Sequence, residues 1–157
     1  MTGTTGRWLE IHARALDAVR ATLDGLDEAT VRWKCPNTGM SMAGDVEHIC
    51  GAEAYWMREV RFQPNIPRIN VAAATREQLL AALNAAEGEH ARLVRERPGD
   101  KDVLFGLGRV CQHALYHLAR IAYFRLRRDP QWSGPGWPNP GCWEVPVDLI
   151  TETMLGR

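Results

Sequence analysis

Three features that the sequence lacks narrow the class of protein. The 157 residues carry no net charge, because 19 lysines and arginines balance 19 aspartates and glutamates, and there is no basic block that would attract nucleic acid. No apolar run approaches the roughly 18–20 residues of a membrane span. Residues 1–30 show no basic segment followed by an apolar one, the pattern of a secretory signal. We therefore expect a cytoplasmic protein that binds neither nucleic acid nor a membrane.

Cysteines are few and scattered. The four cysteines form no CxxC pair, which argues against a zinc site made of cysteines and against a disulfide framework in a reducing compartment. Two of them, Cys50 and Cys111, fall in segments with helical periodicity. We expect these two to be buried thiols.

Helical periodicity is what the sequence does contain. Apolar residues recur with the spacing of an amphipathic helix in four segments, and no segment shows the sustained alternation of a strand. The segments run from about Arg7 to Leu26, from the N-cap Ser41 to before Pro64, from Thr75 to before Pro98, and from about Val103 to Arg128. Two such pairs joined by a long connection predict an all-α protein, a four-helix bundle with a long crossover between helices 2 and 3.

The C-terminal segment has a different composition. Residues 129–157 hold five prolines and three tryptophans, and so many aromatic side chains argue against disorder. We expect a single domain over residues 1–157, in which the bundle occupies about 5–130 and residues 131–157 form an irregular strap over it. The strap would end in a short helix from Val147 to Leu155, and a contribution to a dimer contact is an equal alternative.

Two histidines, His113 and His117, lie four residues apart in the last helix. On a helical wheel both fall on the apolar face that contains Val110, and side chains at i and i+4 are close enough to share one ion. A buried imidazole must find a polar partner. Either a shared metal ion or separate polar neighbours would satisfy the pair, and this helix alone does not choose between them.

Candidates for a further ligand occur on the other helices. His48 lies near the start of the second helix, on the flank of its apolar stripe, whereas Glu53 lies within that stripe, where a carboxylate needs a partner. His12 and His90 also fall on inward faces by the same periodicity. The spacing therefore leaves open which of the five histidines converge.

Two motifs resemble those of the DinB-like family of four-helix-bundle metalloproteins. The first is SMAGDVEHICGAEAYW at 41–56, with a helix-opening serine, a pair of histidine and hydrophobic residue, and a glutamate five residues after that histidine. The second is HALYH at 113–117, followed by the arginine-rich helix end LARIAYFRLRR. The order and lengths of the helices agree as well, so the likeness covers about residues 5–130.

The resemblance implies a metal site. A divalent ion would be held by His48, His113 and His117, and we expect zinc or nickel before iron or manganese. Three protein ligands leave a position on the ion open for water or substrate. Many family members continue the second motif as HRGQ, whereas this chain has HLAR. Arg120, the last residue of that run, either binds an anionic substrate group or lies along the bundle surface.

The resemblance also implies a function. We expect a metal-dependent enzyme of the thiol-transferase, isomerase or hydrolase type that acts on a small molecule, with or without a low-molecular-weight thiol as cosubstrate. Glu53 is a candidate catalytic residue, and Arg120 and Trp56 are candidates for substrate binding. The alternative is a non-catalytic binding or dimerisation module in which the metal staples the bundle. The family further implies a homodimer.

Overall fold

The computed structural model describes residues 4–133, and over that range the chain is helical with no strand. The helices are α1 (Thr4–Leu23), α2 (Glu28–Arg32), α3 (Met42–Glu59), α4 (Arg76–Glu96) and α5 (Lys101–Arg128), with a 3-10 turn at Val71–Ala73. The all-α bundle predicted from the sequence is confirmed. Most of the predicted strap, including its helix Val147–Leu155, lies outside the described residues. Within residues 4–133, no helix is both long enough and apolar enough to cross a bilayer.

Side-chain caps determine where three of the long helices begin. The Ser41 hydroxyl accepts the backbone N–H of Gly44 at 3.1 Å, and Thr75 forms a capping box, as the two predicted helix starts require. Helix α5 begins two residues before the predicted Val103, because the Asp100 side chain accepts N–H groups of the first turn. Local hydrogen bonding thus explains all three starts.

The segment after α1 differs from the prediction. Helix α1 ends at Leu23 rather than at Leu26, since Gly25 adopts the left-handed φ of +71° that commonly ends a helix. The short helix α2 follows, in the stretch between the first two predicted helices. Asp27 caps it by accepting the N–H of Thr30 at 2.7 Å. Its five residues are too few for a periodicity to be recognised.

The four long helices enclose the core. Helix α1 packs against α4 and α5, and α3 packs against the same two, so that α1 and α3 occupy opposite corners of the bundle. Two apolar clusters fill the interior. One contains Leu16, Ile49 and Phe124, and the other contains Ile11 and Leu107. This arrangement makes α3 and α5 direct neighbours, and the candidate site lies at their seam.

Candidate metal site

Three histidines from two helices converge where α3 meets α5. His48 belongs to α3, and His113 and His117 belong to α5. The ring centroids are 4.9 Å apart for His48 and His113, 4.8 Å for His48 and His117, and 4.5 Å for His113 and His117. One ring nitrogen of each lies within 4.8 Å of the other two. At this spacing three imidazoles could bind a single ion.

Helix geometry explains the convergence. On α5 the separation of four residues places His113 and His117 one above the other, with their Nε2 atoms 3.2 Å apart. Because α3 packs directly on α5, a side chain on the flank of the α3 stripe, such as His48, reaches the seam. His117 is buried, His113 is half-buried and His48 is exposed. The cluster is therefore accessible to solvent from the His48 side.

Asp45 fixes the orientation of His117. The Asp45 carboxylate is fully buried, and its Oδ1 lies 2.7 Å from Nδ1 of His117. A carboxylate only accepts hydrogen bonds, so Nδ1 carries the proton and Nε2 presents its lone pair toward His113. The same carboxylate–histidine arrangement supports metal ligands in many proteins. Sequence reasoning missed Asp45, and its position three residues before His48 was the available signal.

Arg120 compensates the charge of Asp45. Its Nε donates to both carboxylate oxygens, at 2.8 and 3.0 Å, and its Nη2 donates to Oδ1. Hydrogen bonding to Asp45 raises the pKa of Arg120. The guanidinium is therefore engaged by Asp45, and the contact with substrate that the sequence suggested for Arg120 stays a prediction.

The environment of His113 favours its neutral form. Partial burial, and then the proximity of His117 and His48, lower the pKa of His113 to about 4. At neutral pH this ring is therefore uncharged. A neutral imidazole is the form that binds a metal ion, because one of its two ring nitrogens has a free lone pair.

A cleft of about 350 Å³ borders the histidines. It is lined by residues of α3 and α5, namely His48, Gly51, Ala52, Tyr55, Trp56, Arg109 and His113. Trp56, a predicted substrate contact, forms part of the wall and meets the ring of Phe105 edge-on at 5.7 Å between centroids. Arg109, one turn before His113, adds a positive charge. The volume and lining suit a small molecule with an apolar part and an anionic part.

Glu53, the candidate catalytic residue, lies in a different group. Its carboxylate contacts His12 and His90, and all three side chains are buried. The structure therefore divides the histidines that the sequence left undecided into two groups, and it places His12 and His90 with Glu53. A catalytic role for Glu53 stays a prediction.

The fold and the site together define a class of protein. It is an all-α bundle with an accessible cluster of imidazoles beside a cleft of the size of a small molecule. The sequence profile of the mycothiol-S-transferase family matches residues 8–154. Because this match spans most of the sequence, the chain belongs to the mycothiol-S-transferase family, which is DinB-like. The resemblance drawn from the two motifs is thereby confirmed. Comparison with curated proteins and with solved structures found no match.

Proposed function

We propose that the protein is a metal-dependent transferase that joins a low-molecular-weight thiol to an electrophilic small molecule. The observation that carries the proposal is the convergence of His48, His113 and His117 beside a cleft. The family match supports the thiol, and mycothiol is the first candidate cosubstrate.

The donor set fits a divalent ion. Three imidazoles suit zinc or nickel, and also iron, whereas manganese prefers oxygen donors. Two further features favour binding, since His113 is neutral at pH 7 and His117 is oriented by Asp45. When bound, the ion would supply the positive charge that stabilises a thiolate at neutral pH. Three protein ligands leave room in its coordination sphere for that sulfur.

Two of the protein's own cysteines are poor nucleophiles, which is a further reason to propose an external thiol. Cys50 and Cys111 are buried free thiols, as predicted from the sequence. Burial raises the pKa of Cys50 to about 12 and that of Cys111 well above its usual range. The thiolate is the reactive form, so neither residue would react at neutral pH. Cys142 lies outside the described residues.

The walls of the cleft would position the reactants. Trp56 and Tyr55 offer aromatic surface, and Arg109 offers a charged fork for a carboxylate or another anionic group. His48 and His113 border the same cleft. A substrate held by the aromatic wall would therefore lie beside His48 and His113, which would hold the metal, and such proximity of two reactants accelerates a transfer reaction.

The decisive experiment combines elemental analysis with a transfer assay on protein without a polyhistidine tag. The assay compares wild type with His113→Ala and with the matched control Gln112→Ala, since Gln112 is an exposed neighbour on the same helix. Each protein is incubated with mycothiol and a bimane electrophile. We expect wild type and the control to contain metal and to catalyse transfer. His113→Ala should lose the metal at this site and at least about 100-fold in kcat/KM, since a direct ligand matters at least as much as its supporting residues.

The same variants test the alternative of a metal-stapled module without activity. An accessible catalytic site predicts that the Tm of His113→Ala changes little. A structural staple predicts a large fall in Tm and no transfer by wild type. Full metal content and full activity in His113→Ala would refute the proposed site itself. A homodimer, implied by the resemblance, and the cytoplasmic location expected from the sequence complete the proposal, and sedimentation at several concentrations tests the dimer.

A further inference from the structure

A second group of metal-binding side chains lies in the interior of the bundle. It consists of His12 from α1, Glu53 from α3 and His90 from α4, with exposed fractions of 0%, 0% and 2%. One donor atom of each lies within 4.8 Å of the other two. Along their helices these residues fall between the two apolar clusters of the core. A polar layer at this depth needs a specific reason, because buried polar groups are costly unless they are satisfied.

The contacts of His12 are symmetrical about the carboxylate. Its Nε2 lies 3.0 Å from Oε1 and 3.1 Å from Oε2 of Glu53. The nitrogen therefore faces the whole carboxylate rather than one oxygen. An N–H of His12 shared between the two oxygens accounts for this placement, and so does an ion bound by the nitrogen and both oxygens.

The contact between His90 and Glu53 is short but poorly aligned for a hydrogen bond. Nδ1 of His90 lies 2.6 Å from Oε2 of Glu53, yet it has no hydrogen-bond partner of acceptable alignment. If Nδ1 were protonated, its N–H would point beside the oxygen. If Nδ1 were deprotonated, its lone pair would lie against a negative oxygen. A divalent ion bound by the ring nitrogens and the carboxylate would replace this contact, and the donor atoms would then lie about 3 Å or more apart rather than 2.6 Å.

We propose that His12, Glu53 and His90 bind a second divalent ion, distinct from the one assigned to His48, His113 and His117. Two imidazoles and a bidentate carboxylate supply four donor atoms, which is the number of a closed structural zinc site. No solvent reaches the group, so it would tie α1, α3 and α4 together rather than carry out chemistry. This inference does not rest on the proposed function.

The first test leaves His12, Glu53 and His90 unchanged. The variant H48A/H113A/H117A removes every ligand of the accessible site, and none of these residues belongs to the buried group. Tag-free protein is loaded with zinc, washed with a weak chelator and analysed for zinc per chain. We expect about two ions in wild type and about one in the triple variant, because a preformed set of donors binds independently of the other set. X-ray absorption of the triple variant should show nitrogen and oxygen neighbours only.

Two conservative core variants complete the test. Glu53→Gln and His90→Gln preserve size, and circular dichroism reports whether each variant folds. In the background of the triple variant we expect either change to remove the remaining zinc, and chelation of the triple variant itself should lower its Tm. A folded triple variant that holds no zinc, with a Tm unaffected by chelator, would overturn the inference and leave a hydrogen-bonded triad in its place.

Discussion

Replacing Asp45 by asparagine removes one negative charge from a buried position while preserving the shape of the side chain. Asp45 is fully buried and accepts the Nδ1–H of His117 at 2.7 Å. An asparagine amide can turn its NH₂ group toward that nitrogen, and this favours the tautomer in which Nε2 carries the proton. Nε2 then no longer offers its lone pair beside His113. The substitution should therefore weaken metal binding without removing a ligand.

The expected magnitude follows from how residues behind metal ligands behave in general. Loss of such a partner costs about 10- to 100-fold in metal affinity, or about 1.4–2.7 kcal/mol. The effect on stability should be limited. Arg120 loses its charged partner, but its side chain is 26% exposed and can turn to water. We expect D45N to remain folded.

Competition titration of zinc against a chromophoric chelator at pH 7 measures the change in Kd. The matched control is Glu47→Gln. Glu47 is exposed on the same helix beside His48, and this substitution removes the same charge without changing the contacts of His117. We expect E47Q to bind zinc within about twofold of wild type and D45N to bind it at least tenfold more weakly. Equal affinities for D45N and wild type, with both proteins folded, would refute the supporting role assigned to Asp45.

Three further predictions concern the cysteines, the core and the cleft. Because the pKa of Cys50 is raised to about 12, iodoacetamide should not alkylate Cys50 in the native protein at pH 8, and rapid alkylation would contradict this. The free energy of unfolding should fall above about pH 8.5, because there the thiol ionises only in the unfolded state. Phe124→Ala should lower the free energy of unfolding, measured in urea, by about 3–5 kcal/mol, because Phe124 is fully buried. Tyr123→Ala, at a position that is 43% exposed, should lower it much less. Equal losses in the two variants would be inconsistent with this core. Arg109→Ala should raise KM for an anionic electrophile about tenfold or more and leave zinc content unchanged, and an unchanged KM would exclude Arg109 from substrate binding.

Local features were accessible from the sequence because they depend on neighbours in the chain. Ser41 and Thr75 begin helices where a capping side chain meets an apolar periodicity. His113 and His117 share a face because four residues make about one helical turn. The four long helices, and the pairing of these two histidines, could thus be predicted. The five-residue helix α2 could not, since it is shorter than the window in which periodicity is detected.

The partner of each buried polar group was decided only by tertiary structure. Asp45 and His117 are 72 residues apart in the chain, and His12 and Glu53 are 41 residues apart. A helical wheel assigns each residue to a face, but the rotation and height at which two helices pack determine which faces meet. For this reason the sequence alone did not order its five inward or flanking histidines. The packing of α3 on α5, and of α1 and α3 on α4, separated them into an accessible cluster and a buried one.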